Sequence, residues 1–424
     1  GGSRGIQSPL TSRWGRMMRF YIETYGCSAN QGNSEEAEEC LVLLGHSPST
    51  EDRADLIIVN TCAVTARTQR KMLRRLLQLQ GERLVVAGCL SKALPESLQG
   101  IEHRMMEGIL GRAAAERIAL LEPPSSGGCN PWIERRALRV VNISEGCLGS
   151  CSYCLVKRAR GCLVSLDDDQ IAAKVARIVK SGAVEVQLAS QDVAAYGVDI
   201  GSTLPRLLRR LIDIPGPHRF RLGMMNPSNV LPIIGDLTKA YDNPRIYRFL
   251  HLPLQSGSDR VLESMNRGYS AEDFRRIVAC FRRAFPDITI VTDCIAGFPG
   301  ETESDHEATM ELLRGVDPDK VNVTRYSSRP HTSAAHLYDM PERIKKGRSR
   351  ALTRLWLELA AQRNERYLGR TVDVLVTERG RDKSMKARLD NYIGLVLRQE
   401  VDLGTQQKAR IVDTNPFYLT GDVG

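Results

Sequence analysis

Short apolar runs alternate with segments of helical period from Arg19 to Leu121. RFYIETYG, DLIIVN and RLVVAG are short and rich in β-branched and aromatic residues, and they predict strands. Between them, SEEAEECLVLLG and ARTQRKMLRRLLQLQ carry apolar residues three and four apart and predict helices. Ser34 is the expected N-cap of the first. Strand–helix–strand order with short connections predicts a parallel, doubly wound α/β domain. The run EPPSSGGCNP then marks a domain boundary. From about Ala137 to Ala361, six strand candidates follow: RVVNISEG, VEVQLAS, RFRLGMM, YRFLHLPL, ITIVTDCIAG and KVNVTRYS. Most are separated by stretches able to hold a helix, which predicts a partial (β/α)6 version of the eight-unit barrel. In such barrels chemistry sits at the C-terminal strand ends, here occupied by SEGC, SQD, MNP, QSGS, GFPGE and YSSR.

After Gln362 the pattern changes to TVDVLVTE, NYIGLVLR, QKARIVD and FYLTGDV, short strands that predict a small all-β module. The expected domains are 18–125, 137–361 and 362–424. Residues 1–17 read as a tag, with Met18 the expected natural start.

Composition excludes whole classes. The chain has 424 residues, 42% of them hydrophobic and 26% charged, which is ordinary for a globular protein and unlike a disordered or collagenous one. No apolar run is long enough to span a membrane, and no secretory pattern precedes the first strand, so a cytoplasmic location is expected. The net charge of +9 is compatible with a nucleic-acid partner without requiring one. Charge is more telling locally. Arg366 to Arg388 holds seven basic residues against three acidic, an excess of 7 − 3 = +4, and the preceding PERIKKGRSRALTRL is also basic. A small basic β-barrel suits RNA, and so does a solvated face suit such charge.

Eleven cysteines without a secretory signal point to metal ligation or catalysis rather than disulfides. Cys147, Cys151 and Cys154 form C-x-x-x-C-x-x-C after the first barrel strand. Three thiolates hold three irons of a four-iron cluster and leave the fourth open. The alternative is a zinc knuckle completed by Cys162 or a histidine. Cys27, Cys62 and Cys89 lie far apart in sequence, yet each directly follows a predicted parallel strand, where such sheets place their ligands. They form either a second triad or three separate buried thiols. Asn30 and Asn60 flank them, as hydrogen-bond donors to cluster sulfur or as turn residues. Cys40 and Cys280 are expected on helix faces, Cys294 in a strand and Cys129 in the linker.

The first constellation, at this barrel position, resembles the radical S-adenosylmethionine (SAM) superfamily. The two triads in this order, with a C-terminal β module, resemble its methylthiotransferase family over almost the whole chain from Met18. YGCSANQGNSE, NTCAVT, AGCL, EGCLGSCSYC, HLPLQSGSDRVLESMNRGY, DCIAGFPGET and VLVTE carry the resemblance jointly. CSYCLVKRARG, DVAAYGVDIGSTLP and RLGMMNP resemble the archaeal and eukaryotic branch acting on N6-threonylcarbamoyladenosine at tRNA position 37. One departure is His331, standing in YSSRPHTSAA where the family usually has Gly.

The resemblance implies two [4Fe-4S] clusters and two uses of SAM. The cluster on Cys147, Cys151 and Cys154 would bind SAM and generate a 5′-deoxyadenosyl radical. The cluster on Cys27, Cys62 and Cys89 would carry the sulfur, and a second SAM the methyl group. Tyr153 is expected beside the adenine. Gln191, Asp192, Gln255 and Ser256 at strand ends, Arg267 facing the SAM carboxylate, and the turn at Phe298 are expected SAM contacts. Arg325 and Arg329 are expected to meet tRNA phosphate or SAM. The C-terminal module resembles TRAM domains and would grip the anticodon stem-loop. An external one-electron reductant, an unidentified sulfur donor and a monomer complete the picture. Rival readings keep the chemistry on isopentenyladenosine or a ribosomal-protein aspartate, or replace it by a non-enzymatic iron–sulfur RNA sensor.

Overall fold

A computed structural model describes residues 17–121 and 136–424. The linker run EPPSSGGCNP, with Cys129, and residues 1–16 lie outside them.

The N-terminal domain is built from β1 (Arg19–Thr24), α1 (Ser28–Leu43), β2 (Ser47–Pro48), β3 (Leu56–Thr61), α2 (Ala66–Leu79), β4 (Gly81–Gly88), α3 (Cys89–Ala93), β5 (His103–Met106) and α4 (Arg112–Ala119). Its sheet has the order β2-β1-β3-β4-β5, and every pairing is parallel. Every residue of β3 is buried, because helices cover both faces. Ile57 and Val59 pack toward α2, whereas Leu56 and Ile58 pack toward α1 and α4. The short edge strands β2 and β5 carry little apolar pattern and escape a reading by periodicity. Helix α1 starts earlier than expected: Cys27 is its N-cap and Ser34 lies inside it. The Ser34 hydroxyl instead bonds Thr24 Oγ1 at 2.7 Å and accepts from Asn60 at 2.9 Å.

The central domain continues with β6 (Leu138–Asn142), β7 (Ser144–Glu145), α5 (Val156–Arg160), β8 (Val164–Ser165), α6 (Asp168–Lys180), β9 (Glu185–Ala189), α7 (Leu204–Ile212), β10 (Arg219–Leu222), α8 (Pro227–Val230), α9 (Ile234–Tyr241), β11 (Phe249–His251), α10 (Asp259–Ser264), α11 (Ala271–Ala284), β12 (Thr289–Ala296), α12 (Glu303–Val316), β13 (Lys320–Arg325) and α13 (Glu342–Glu365). Parallel ladders β6-β9-β10 and β11-β12-β13 meet through bridges Phe220↔Ile246 and Met224↔His251. The result is the expected six-stranded partial barrel, open between β13 and β6. Helices bury their i, i+3, i+4 faces on it: Ile171, Val175 and Ile178 from α6, and Leu204, Leu207, Leu208 and Leu211 from α7. Helix α13 runs past the expected boundary at 361, because its packing on β12 and β13 continues into contact with the next module.

The C-terminal module comprises β14 (Thr371–Arg379), β15 (Met385–Leu389), β16 (Gly394–Leu397), β17 (Gln406–Thr414) and β18 (Leu419–Val423), closed in the order β14-β15-β16-β18-β17. Strand β15 was hidden by its alternating charge, in MKARL. This module stoppers the N-terminal end of the central barrel. Tyr392 packs edge-on against Tyr247 and Phe249, with ring centroids 4.9 and 5.0 Å away. Its hydroxyl donates to Glu185 Oε1 at 2.6 Å. No helix among the described residues is long and apolar enough to cross a membrane.

Candidate active site

The loop carrying Cys147, Cys151 and Cys154 leaves the barrel through the β7–β8 pair, which clamps its base. Gly146 makes that exit possible. It sits at φ +83°, and a Cβ there would lie 1.9 Å from the Cys162 carbonyl oxygen. The far side is tied to the end of α10: Ser152 N donates to the Met265 carbonyl at 3.0 Å, and Asn266 to that of Ser150 at 2.9 Å. Donors then converge on sulfur. Gly149 N reaches Cys147 Sγ at 3.3 Å, Val156 N reaches Cys154 Sγ at 3.4 Å, and Arg267 Nη1 reaches Cys151 Sγ at 3.0 Å. Burial pushes the Cys154 thiol up to about 12 and raises Cys147, against these same donors. Such thiols ionise when a metal takes the proton's place.

The other expected contacts divide into free and occupied groups. Gln191 is the free one: both atoms of its amide are buried without a partner. Asp192 is committed to the scaffold, its oxygens accepting Ala194 N at 3.1 Å, Asn226 N at 3.0 Å and Asn229 Nδ2 at 2.7 Å. Ser256 accepts Ser258 N at 3.2 Å. Gln255 adopts φ 67° and pairs with Cys294, extending the line of β11 beside β12. Arg267 is turned to sulfur, to Asn226 Oδ1 at 3.1 Å and to the Tyr269 hydroxyl at 3.2 Å. Phe298 is buried between Tyr153 and Tyr326, edge-on at 6.2 and 5.4 Å. Arg325 pairs with Glu342 on α13.

Cys27, Cys62 and Cys89 share one sheet edge. Cys27 caps α1 just past β1, Cys62 directly follows β3, and Cys89 opens α3 at the end of β4. Gly88 at φ +103° permits the last turn, where a Cβ would lie 2.5 Å from the Thr61 backbone. Burial pushes Cys62 up to about 11, and the neighbouring Cys89 and Cys27 charges add to that. The asparagines do not donate to sulfur, as expected of them in one reading. Asn30 Nδ2 holds the Tyr25 and Thr61 carbonyls at 2.7 and 2.9 Å, and Asn60 Nδ2 holds the Asn30 carbonyl at 2.9 Å. They pin the loops that present the thiols.

Sequence reasoning missed Arg160. It ends α5, downstream of the first triad, and reaches across to the second. Its Nε lies 3.4 Å from Cys89 Sγ, and its Nη2 donates to Asn30 Oδ1 at 2.6 Å and Asn33 Oδ1 at 2.9 Å. Helix α5 thus runs between the two cysteine sites, its first N–H on Cys154 Sγ and its last side chain on Cys89 Sγ. In the run KRAR only the helical phase separates Arg160 from Arg158, so no sequence signal marked it. His331 occupies φ 64°, the left-handed conformation for which Gly is the usual choice, and its Nε2 lies 3.3 Å from Glu96 Oε1 of the N-terminal domain. Cys40, buried on α1, and Cys280, half-buried on α11, lie on helices as expected, and Cys294 lies in β12 as expected.

Three family models match the chain: the Radical SAM superfamily over residues 141–313, Uncharacterized protein family UPF0004 over 19–111, and the TRAM domain over 365–423. The chain is 39% identical to the probable threonylcarbamoyladenosine tRNA methylthiotransferase of Archaeoglobus fulgidus, covering 96% of this chain and 99% of that one. It is 33% identical to the threonylcarbamoyladenosine tRNA methylthiotransferase of Danio rerio, covering 96% and 78%. The chain belongs to the threonylcarbamoyladenosine tRNA methylthiotransferase family. The fold is also that of the radical S-adenosylmethionine methyltransferase TsrM from Kitasatospora setae, at TM-score 0.53 and 13% identity, covering 76% and 77%.

Membership of the radical SAM superfamily implies SAM and a four-iron cluster. The first loop fits that cluster by its donor set: three thiols, two backbone N–H groups and a guanidinium that would offset thiolate charge. Gln191 offers the unmet polar capacity that a bound SAM requires. Among the described residues no three His, Cys, Asp or Glu side chains gather to hold a single metal ion. A cluster is wider than an ion and is held at its corners.

Proposed function

We propose that this chain adds a methylthio group to C2 of N6-threonylcarbamoyladenosine at position 37 of tRNA. The observation that carries the reading is identity of up to 39% with relatives bearing that activity in their names, across 96% of the chain. Helix α5, with Val156 N on Cys154 Sγ at one end and Arg160 on Cys89 Sγ at the other, supports it, because the reaction needs a radical source and a sulfur source near each other. C2–H of adenine is unactivated, and no general base removes that hydrogen at useful cost. When bound, the two four-iron clusters and SAM supply a carbon radical that takes the hydrogen, a sulfur to insert and a methyl group.

The chain's own residues bind and orient. Cys147, Cys151 and Cys154 hold the first cluster, with Arg267 compensating thiolate charge. Cys27, Cys62 and Cys89 hold the second, with Arg160 in the same role. Gln191 takes polar atoms of SAM from the barrel interior, and the edge-on cluster of Tyr153, Phe298 and Tyr326 keeps water from the adenine side. Asp192, Gln255 and Ser256 position these groups through the backbone. The TRAM module and its basic surface contact the anticodon stem-loop. The protein acts as a monomer in the cytoplasm, with an external one-electron reductant and sulfur donor.

Mass spectrometry of tRNA nucleosides from a strain lacking the gene tests the reading. The methylthio form of threonylcarbamoyladenosine should vanish and its unmodified precursor accumulate. Loss of methylthio-isopentenyladenosine instead would move the activity to another substrate. Failure of the reduced, reconstituted protein to cleave SAM would favour the sensor.

A further inference from the structure

Helices α2 and α13 flank a groove of about 760 Å³ on the open side of the barrel. Thr65, Arg67 and Arg70 line it from the N-terminal domain, and Arg325, Ser349 and Thr353 from the other side. Helix α2 contains no acidic residue, and its Arg67, Arg70, Lys71 and Arg74 recur at helical spacing on one exposed face. On α13, exposed Arg343, Lys346, Arg350 and Arg354 form a second stripe. Among the described residues none of these eight cations makes an ion pair, whereas the cations between the stripes do. Arg325 is paired with Glu342, and Lys345 with Asp339 at 3.0 Å. The floor is therefore neutralised, Arg67 and Arg70 stand on one side, and on the other Arg350 and Arg354 line a shallow hollow that shares Ser349 and Thr353 with the groove.

Its inner end approaches the chemistry. Thr65 stands just beyond Cys62, and Ser327 and Ser328 lead directly into Arg329. Arg329 is 4% exposed, yet its Nε and Nη2 have no partner. The Arg329 loop is held by Ala334 N donating to the Ser152 carbonyl at 2.8 Å, so it touches the first cysteine loop as well. Helix α13, which forms the groove's far side, runs on to the C-terminal module. Helix α13 has 24 residues and spans about 36 Å, and Asn364 near its end donates to the Asn415 carbonyl at 2.6 Å. The lining is mostly Ser, Thr and Arg, with Asp339 and Glu342 neutralised by Lys345 and Arg325, and few apolar side chains. A protein-docking surface would show an apolar centre. A phosphate-and-sugar backbone matches it better.

We propose that this groove is the path of the anticodon loop, with the α2 and α13 stripes holding backbone phosphates on its two sides and Arg329 taking the phosphate nearest the target base. The proposal rests on tRNA being the substrate.

The test measures binding of a synthetic anticodon stem-loop to the full, cluster-loaded chain across a salt series. Arg67→Gln/Arg70→Gln and Arg350→Gln/Arg354→Gln should each lower the log–log salt slope by about 1.4–1.8, at roughly 0.7–0.9 per phosphate lost. Arg209→Gln/Arg283→Gln removes the same charge from exposed positions on the outer helices and should leave the slope unchanged. Arg329→Gln should lower it by roughly a further 0.7, and Arg329→Lys should restore it. Wild-type slopes in both groove doubles overturn the proposal, as does an equal loss in the control. An unchanged slope in Arg329→Gln removes Arg329 from the path. Lost slope in the doubles, with no methylthio product from wild type, keeps the groove and discards the proposed activity. Normal product with wild-type slopes does the reverse.

Discussion

Replacing Arg160 by Gln probes the second cysteine site. The guanidinium is 8% exposed and stands 3.4 Å from Cys89 Sγ. Two unit charges at that distance in a medium of effective dielectric 20 interact by about 5 kcal/mol, an upper bound. Desolvation of both partners reduces a hydrogen bond to a charged group to about 1.5–3 kcal/mol net. If Cys89 ligates a cluster, removing the cation disfavours both redox states, the more negative, reduced one more, and the difference is at most that amount. At 59 mV per tenfold change for one electron, the midpoint potential should fall by up to about 60–130 mV. The assay is a redox titration followed by electron paramagnetic resonance, in protein whose Cys147, Cys151 and Cys154 are already Ala. A second readout needs no metal. Asn30 and Asn33 each lose a buried donor to Oδ1, so the metal-free protein should lose about 2–4 kcal/mol in urea unfolding. A potential that stays put or rises, together with unchanged unfolding, would refute the reasoning.

The Cys147, Cys151 and Cys154 triple Ala variant should retain about four of eight irons and lose SAM cleavage, and full iron retention would remove those ligands from the assignment. The Cys27, Cys62 and Cys89 triple Ala variant should still release 5′-deoxyadenosine yet form no methylthio product in a chromatographic assay; product would end the sulfur-carrier role. Tyr392→Ala should cost about 3–5 kcal/mol, since it empties the contact with Tyr247 and Phe249 and strips a donor from buried Glu185. Limited proteolysis should then release the C-terminal module first, and wild-type resistance would show that the stopper contact is weak.

The parallel strands were legible because burial on both faces writes an unbroken apolar run, as in LIIVN of β3. The cysteines that follow those runs were legible for the same reason. Other features depend on where side chains point, and that is set by tertiary packing. The Arg160 reach across domains follows from the turn at Gly161 and the docking of α5 on α3, neither of which has a linear signature. Helix α1 begins early, with Cys27 at the N-cap position and no side-chain bond capping it, whereas propensity favours Ser34. Asp192 and Arg267 were expected to contact SAM, and the structure shows them tied to protein partners. Their partners, Asn226 and Cys151, come from other units of the barrel and could not be read from spacing.

An incomplete barrel leaves its two outermost strands with unsatisfied backbone groups, and β6 is one of them. Here the N-terminal domain answers it directly. Glu35 of α1 accepts the Val140 N–H at 3.0 Å, as a neighbouring strand's carbonyl would, and also binds Arg139 at 3.1 Å. Asn142 at the strand's end donates to the Ala29 carbonyl of the same helix at 3.0 Å. The helix thus acts as a surrogate strand. A central domain expressed without it would display a bare, pairing-competent edge, the template from which β-sheet proteins aggregate. Solubility of the catalytic core and delivery of the second cysteine site are therefore bound to one helix, so neither is expected to be lost without the other.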